Sequence, residues 1–274
     1  MSISWPTVAL GSEVDLLSGG TPKKGEARYW GGDIPWVSSG EMKQRQIWDT
    51  SLHVTDEGAD NGTKRVPENT VLAVVRGMSL AKEFRVAISK RSLTFNQDLK
   101  AFKPSEKLTS EFLFYYLLSQ RHAIRDSATE ASHGTKKLET RVLEDWPLPL
   151  PSLPEQRGIA DVLSTYDNLI ENNRRRIQLL EQAARLLYKE WFVHLRFPGH
   201  EHVKIKDGVP EGWAKIPLGE MLTLQRGFDL PTGKRKDGVF PIYASTGING
   251  YHVEAKVKGP GVVTGRSGSL GTVM

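Results

Sequence analysis

The stretch from Trp5 to Pro22 reads W-P-T-V-A-L-G-S-E-V-D-L-L-S-G-G-T-P. It returns, altered, as W-A-K-I-P-L-G-E-M-L-T-L-Q-R-G-F-D-L-P from Trp213 to Pro231. At a constant offset of 208 positions, Trp5 falls on Trp213, Leu10 on Leu218, Gly11 on Gly219 and Gly19 on Gly227. Two further blocks follow in the same order, with small gaps. Ile34-Pro35 and then Ser38-Ser39-Gly40 parallel Phe240-Pro241 and then Ser245-Thr246-Gly247. The strand-like Thr70 to Leu80 parallels Gly261 to Leu270, which sets Arg76 on Arg266 and Ser79-Leu80 on Ser269-Leu270. One short match arises easily by chance, but three in one order indicate duplication of a whole folding unit. Any fold for this chain must therefore accommodate two related modules.

Residues 152–197 fill the space between the copies. Ser152 and Glu155 make an S-x-x-E capping box at a helix start. From Glu155 through Arg196 the only helix breaker is Gly158, in the first turns, and Pro198-Gly199 is a firm stop. The apolar residues keep a heptad register. Leu163, Ile170, Ile177, Ala184 and Trp191 take one seam position, and Ile159, Tyr166, Asn173, Leu180 and Leu187 take the other. Such a seam predicts pairing with another helix along its whole length. At 1.5 Å per residue, some 40 residues span about 60 Å, so the segment reads as a spacer. Asn173 is the one polar member of the seam. Either it selects register and partner, because a buried Asn tolerates another Asn better than an aliphatic side chain, or the seam opens to solvent there. The neighbouring Arg174-Arg175-Arg176 could touch phosphate, although charge runs on long helices are usually solvated or paired.

Inside the first copy the pattern is mixed. Val71–Val75, Arg85–Ile88 and Leu99–Phe102 read as strands with polar and Gly punctuation between them. Thr109 to about Ala128 reads as an amphipathic helix with Phe112, Leu113, Tyr116, Leu117 and Ile124 on its apolar face. Gly31 to Gly62 reads as short strands joined by long loops. Trp146 to Pro151 is an extended connector, since each proline biases its predecessor away from the helical region. The expected class is α+β: a mixed α/β module (1–151), a long coiled-coil-type helix (152–197), a linker (198–211) and a partial second copy (212–274).

Hydrophobic residues at 38% and charged residues at 25% suit a globular chain with a real core. No run of about 18 apolar residues predicts a membrane span. The opening Met1-Ser-Ile-Ser-Trp5-Pro6 lacks the basic and apolar regions of a signal peptide, so no export is expected. The absence of cysteine excludes disulfides, thiolate zinc sites and a cysteine nucleophile, and fits a cytoplasmic location. The net charge is +5, with 20 Lys and Arg against 19 Asp and Glu in residues 1–150, and 17 against 13 in the rest. That excess permits a nucleic-acid partner without demanding one.

Catalytic signatures fail one by one. The N/D-P-P-Y/F tetrapeptide of adenine methyltransferases does not occur. The stretch nearest to G-x-x-x-x-G-K-[ST], Gly227 to Arg235, has five residues between its glycines and Arg235 where a magnesium-binding hydroxyl belongs. Asp98-Leu-Lys100 is a fragment of a nuclease site and fits an ordinary strand as well. His200-Glu-His202 offers two metal ligands in a loop with no third nearby. No catalytic group, cofactor or metal is expected.

The opening block W…L-G…G-G-T-P, followed by I-P-W-V-S-S-G-E-M from Ile34, resembles the start of a recognition domain in type I restriction–modification specificity subunits. The exit is similar too: G-T-K-K-L from Gly134 to Leu138, then L-P-L-P-S-L-P-E-Q-R from Leu148 to Arg157, running into a long helix. The resemblance covers nearly the whole chain, and it is specific as an ordered set. It implies a non-catalytic DNA reader with two target-recognition domains, each reading half of a split duplex site. It also implies long helices that dock methyltransferase subunits and, through them, restriction subunits. One departure stands out. The second copy starts near Trp213 and the sequence stops at Met274, level with Leu80–Ala81 of the first copy, before a complete second domain or a second long helix. Truncation within the second domain is therefore expected, and with it a helix free to pair with a second copy of itself.

The resemblance points to loops and a sheet edge as the DNA-reading surface. The matching stretches are Ser38 to Lys43, Arg76 to Lys82, Asn96 to Lys100 and Ser132 to Lys137. Among them the candidate DNA-binding residues are Ser39, Lys43, Arg76, Asn96, Gln97, Thr135, Lys136 and Lys137. Lys and Arg supply affinity on phosphates, Arg pairs best with guanine, and Asn and Gln pair best with adenine. Asn96-Gln97 could equally be a turn, and Arg76 a structural ion pair. Two readings compete with a DNA reader. One is a coiled-coil adaptor that grips protein, and the other is a free-standing nuclease.

Overall fold

In the computed structural model, which describes residues 5–131 and 134–265, Val71, Leu72, Ala73 and Val74 are all fully buried. A strand that alternates polar and apolar residues faces water on one side, whereas a continuous apolar run is covered on both. That run is the centre of a layered first module. The chain divides into two compact units, Met1–Ala184 and Arg185–Met274.

In the first unit, β1 (Thr7–Ala9) leads through a one-turn helix, α1 (Leu10–Glu13), into β2 (Val14–Ser18). Next come β3 (Trp30–Val37), β4 (Gln46–Ile47), β5 (His53–Val54), the short helix α2 (Asp56–Asp60) and β6 (Lys64–Val66). The central strand β7 (Val71–Val74) is followed by β8 (Arg76–Gly77), β9 (Val86–Ser89), β10 (Leu93–Phe95) and β11 (Leu99–Pro104). Helices α3 (Ser110–Ser119) and α4 (Arg121–Asp126) precede β12 (Thr129–Glu130), β13 (Lys136–Lys137), α5 (Thr140–Glu144) and β14 (Pro147–Pro149).

Strands β2, β11, β7, β9 and β4 form the middle sheet in that order, and β5, β3, β10 and β6 form a second. Through Val71, Ala73, Val86, Ile88 and Phe102, one face of the middle sheet packs on Phe112, Leu113, Leu117 and Ile124 of the helices. Its other face, with Leu72, Val74, Ala87, Leu99 and Ala101, packs on Val37, Val66, Leu93 and Phe95 of the second sheet. Helices, sheet and sheet make three layers, an α+β arrangement.

Local departures from the sequence reading have local causes. The helix expected from Thr109 to Ala128 is two helices. Thr109 caps the first by accepting the Phe112 N–H at 3.3 Å, and Gln120, with ψ near 0°, breaks the run. The connector at Trp146–Pro151 contains a true strand, β14, antiparallel to β1 with Val8 opposite Leu148. Its prolines offer no N–H, which confines it to a two-stranded ribbon.

The long helix is α6 (Leu153–Tyr188), 36 residues or about 54 Å. The Glu155 carboxylate accepts from the Ser152 N–H at 2.9 Å and hydroxyl at 2.7 Å, and from Trp5 Nε1 at 3.3 Å. These donors hold its pKa below the ordinary glutamate range. Gln156 is fully buried and fully used: it accepts the Thr109 N–H at 2.9 Å and donates to the carbonyls of Lys107 and Pro151. Ala160 is the last fully buried residue of the helix. Of the seam residues, Ile159 packs against the first module, while Leu163, Tyr166, Ile170, Asn173, Ile177, Leu180, Ala184 and Leu187 are exposed. Among the described residues, no helix is long and apolar enough to cross a membrane.

The helix stops short of the expected Phe197. Lys189–Val193 form a π-helical turn, which shifts Trp191 out of the heptad register. Arg196 then pairs with Glu190 at 2.6 Å, and Phe197 stacks on Trp213 at 5.1 Å, which draws the chain out of helical geometry. In the second unit a hairpin, β15 (Ile205–Lys206) with β16 (Val209–Pro210), turns on Asp207-Gly208, both at positive φ. A one-turn helix α7 (Leu218–Met221) and a second hairpin, β17 (Phe240–Ala244) with β18 (Gly247–His252), follow. The strand expected over Gly261–Leu270 lies largely outside the described residues.

Candidate nucleic-acid interface

The four candidate stretches are far apart in sequence, and backbone hydrogen bonds bring them to one edge. β3 and β10 run parallel, with Val37 beside Phe95, so the loop after β3 and the turn after β10 leave from the same end. There the Asn96 N–H bonds the Val37 carbonyl at 2.9 Å. Two residues on, the Asp98 carbonyl accepts from Val75 at 2.9 Å and Arg76 at 3.3 Å. Arg76 pairs with Lys137, and Gly77 with Lys136, across β8 and β13. The Leu138 N–H closes the series on the Val75 carbonyl at 2.8 Å.

The side chains on this edge differ in what they offer. Arg76 is exposed and Lys136 half-buried, and neither has an ion-pair partner among the described residues. Lys137 holds Glu139 at 2.9 Å. Thr135 takes the Ala131 N–H on its carbonyl at 2.8 Å, beside Gly134 in the left-handed region at φ 71°; Ser132 and His133 lie outside the described residues. Ser39 is half-buried and Lys43 exposed, in the loop after β3. Gln97 is exposed, and its Oε1 accepts the Thr21 hydroxyl at 2.7 Å. Asn96 departs from the expectation. It is 6% exposed, its Nδ2 donates to Asp98 Oδ2 at 3.1 Å, and its Oδ1 takes the Asp98 N–H at 3.2 Å. Both amide atoms are engaged in shaping the turn.

Sequence reasoning reached Lys82, at the end of one candidate stretch, but missed the arginines that stand with it beside this edge. Lys82, Arg121, His122 and Arg125, with Glu83 and Phe84, line a cavity of about 310 Å³. Arg125 is steadied by Asp126 at 2.7 Å and by the Lys82 carbonyl at 3.3 Å. The i, i+4 pair Arg121 and Arg125 was the available signal, but a helix read only for its apolar face hides it. The Asp98–Lys100 pair forms no carboxylate cluster, because Lys100 Nζ turns to Ser18 Oγ at 2.7 Å. Among the described residues no three His, Cys, Asp or Glu side chains stand close enough to hold a metal ion.

A family model described as "Type I restriction modification DNA specificity domain" matches residues 3–182. The chain belongs to that family. Among relatives of this specificity-domain protein, the type I restriction enzyme MjaIX specificity subunit of Methanocaldococcus jannaschii is 31% identical over 227 residues. The match takes in 79% of this chain and 51% of the relative. The EcoR124I/EcoR124II specificity subunit of Escherichia coli is 29% identical over 169 residues, 61% of this chain and 41% of that protein. The chain thus spans about half the length of the curated relatives it matches. The crystal structure of a type I restriction–modification S subunit from M. genitalium superposes with a TM-score of 0.70 at 20% identity. It covers 100% of this chain and 68% of that one, which shows a shared fold.

Proposed function

We propose that this specificity-domain protein is the non-catalytic reading part of a type I restriction–modification complex. It grips duplex DNA at the edge that carries Ser39, Lys43, Arg76, Gln97, Thr135, Lys136 and Lys137, and reads one half of a two-part site. The observation that carries this is the convergence of four separated stretches on one edge, where Arg76 and Lys136 have no ion-pair partner among the described residues. Phosphate contacts from lysine and arginine give affinity and register, and base-edge contacts give specificity. The cavity cations Lys82 and Arg121 extend the phosphate track. The bound complex works in the cytoplasm.

Methyltransferase subunits dock along α6, and restriction subunits join through them. The exposed apolar row on α6 supports this, since a helix that leaves such a row in water is short of a partner. Asn173 is the midpoint of the row from Ile159 to Leu187. A second copy of α6 laid along that row would cover it on both sides of Asn173. For this chain alone, a homodimer through α6 follows. A clean monomer by light scattering removes that part of the proposal.

The DNA reading is tested by salt. Replacing Lys136 and Lys137 with Ala in the full chain, with its methyltransferase partner, flattens log K against log salt by about 0.9 per lost phosphate contact. An unchanged slope removes this edge from the interface. No salt-dependent shift of duplex DNA at all, with or without the partner, favours a protein-binding adaptor instead.

A further inference from the structure

Two points hold α6 to the first module. Gln156 and Ala160 make the inner one. The outer one lies farther along, on a stretch of helix otherwise turned to solvent. The Asp167 side chain is only 13% exposed, and its Oδ1 takes Arg45 Nη1 at 2.7 Å. The next residue, Asn168, accepts from Gln46 Nε2 at 3.1 Å. Arg45 and Gln46 sit on rigid backbone: the Arg45 carbonyl takes the Ile88 N–H at 2.9 Å, and Gln46 opens β4 beside β9. Asp167 Oδ2 is buried as well. Tyr115 of α3 stands beside it, and burial, followed by the Asp167 charge, pushes that phenol up to about 12, so it stays neutral.

The energetics argue against a role in stability. Withdrawing a carboxylate from water costs several kcal/mol, about what pairing returns, so a half-buried ion pair is a weak stabiliser. The geometry argues for a different use. Asp167 is eleven residues beyond Gln156, three turns of 3.6, so the two anchors lie on one helix face about 16 Å apart. One anchor lets a rod swivel, whereas two fix its direction and its rotation. The apolar row lies to one side of that face: at 100° per residue, Ile170 is about 60° and Tyr166 about 100° around the helix from Asp167.

We propose that Asp167, held by Arg45, and Asn168, held by Gln46, are positioning residues that set the direction and rotation of α6 on the first module. They thereby fix where the apolar row points relative to the DNA-contacting edge, a role that rests on reading α6 as the docking helix. Because the chain has no cysteine, Glu68→Cys and Gln182→Cys supply two unique spin-label sites, one on the module and one far along the helix. Pulsed dipolar spectroscopy on the full chain is expected to give one narrow distance distribution. Asp167→Ala should widen it at least twofold, and the swapped pair Arg45→Asp with Asp167→Arg should narrow it again. The salt slope of DNA binding should not change. Arg45→Gln, at a more exposed side chain, serves if Asp167→Ala fails to fold. An equally narrow distribution in these variants, or a broad one in the parent, overturns the clasp. If the parent does not bind DNA, the functional reading falls while the distance widths still judge the clasp.

Discussion

Residues 10–13 and 218–221 stand 208 positions apart and form the same one-turn helix, α1 in the first copy and α7 in the second. Their surroundings differ completely. Leu10 is fully buried and Leu218 is 69% exposed, and Val14 and Leu222 stand at 6% and 49%. A Cβ on Gly19 would lie 2.2 Å from the Phe95 carbonyl, whereas one on Gly227 would meet nothing within 4 Å. The partners explain the contrast. In the first copy β2 lies against β11 and β1 against β14. Among the described residues no strand lies in the equivalent place beside residues 222–226. The local sequence makes the turn, and distant segments make the strand and the burial. Glycines kept at both places record a close approach that only the first copy realises within this chain.

The widest gap between the copies is expected at the leucines. Leu10→Ala should cost about 2–5 kcal/mol, as removal of a packed core side chain does, while Leu218→Ala should stay within about 0.5 kcal/mol as a surface change. Urea unfolding followed separately in each unit measures both. A comparable loss at Leu218 would mean that the second unit hides a core, and the comparison would break. The glycines sharpen it further, because the sign should change. Gly19→Ala drives a methyl group into backbone at Phe95 and Asn96 and should destabilise by about 1–3 kcal/mol. Gly227→Ala only restricts the unfolded chain and should stabilise by about 0.4–1 kcal/mol. A change of the same sign at both positions in thermal unfolding would show the two sites to be packed differently from what the fold implies.

How much was legible follows the same division. The capping box at Ser152 and Glu155, the strand at Val71–Val74 and the long helix were readable because each is written in neighbouring residues. The edge that joins Val37, Asn96, Asp98, Arg76 and Lys137 was readable only as four separate stretches, because its unity comes from long-range backbone pairing. For Asn96 the sequence leaves base contact and turn both open, because a side chain that bonds its own turn looks, in sequence, like one left free. The π-helical turn at Lys189–Val193 was invisible, since the aromatic contacts of Phe192 and Phe197 with Trp213 that accompany it bridge a gap in the chain. The clasp at Asp167 was hidden for the opposite reason: a charged residue on a solvated helix carries no signal until Arg45 is seen beside it.

The smallest expected effect lies at that clasp, and it separates the anchored part of α6 from the free part. Tyr115 is raised to about 12 in the folded chain, chiefly by burial and then by the Asp167 charge, against about 10 for an unfolded tyrosine. The folded state therefore holds this proton more tightly than the unfolded state does. Its contribution is complete below about pH 10 and is lost as pH rises toward about 12. The Tyr115 side chain is only part-buried, so the loss should be modest. Alkaline titration at the tyrosinate absorbance should show late-titrating phenols at Tyr115 and Tyr116, both raised chiefly by burial, of which Tyr115→Phe removes one, together with a shallower alkaline fall in the stability of the first unit. The second unit, which holds no part of the clasp, should unfold identically in parent and variant across that range. An alkaline loss of the same size in both units would place the late proton elsewhere and detach Tyr115 from the outer anchor.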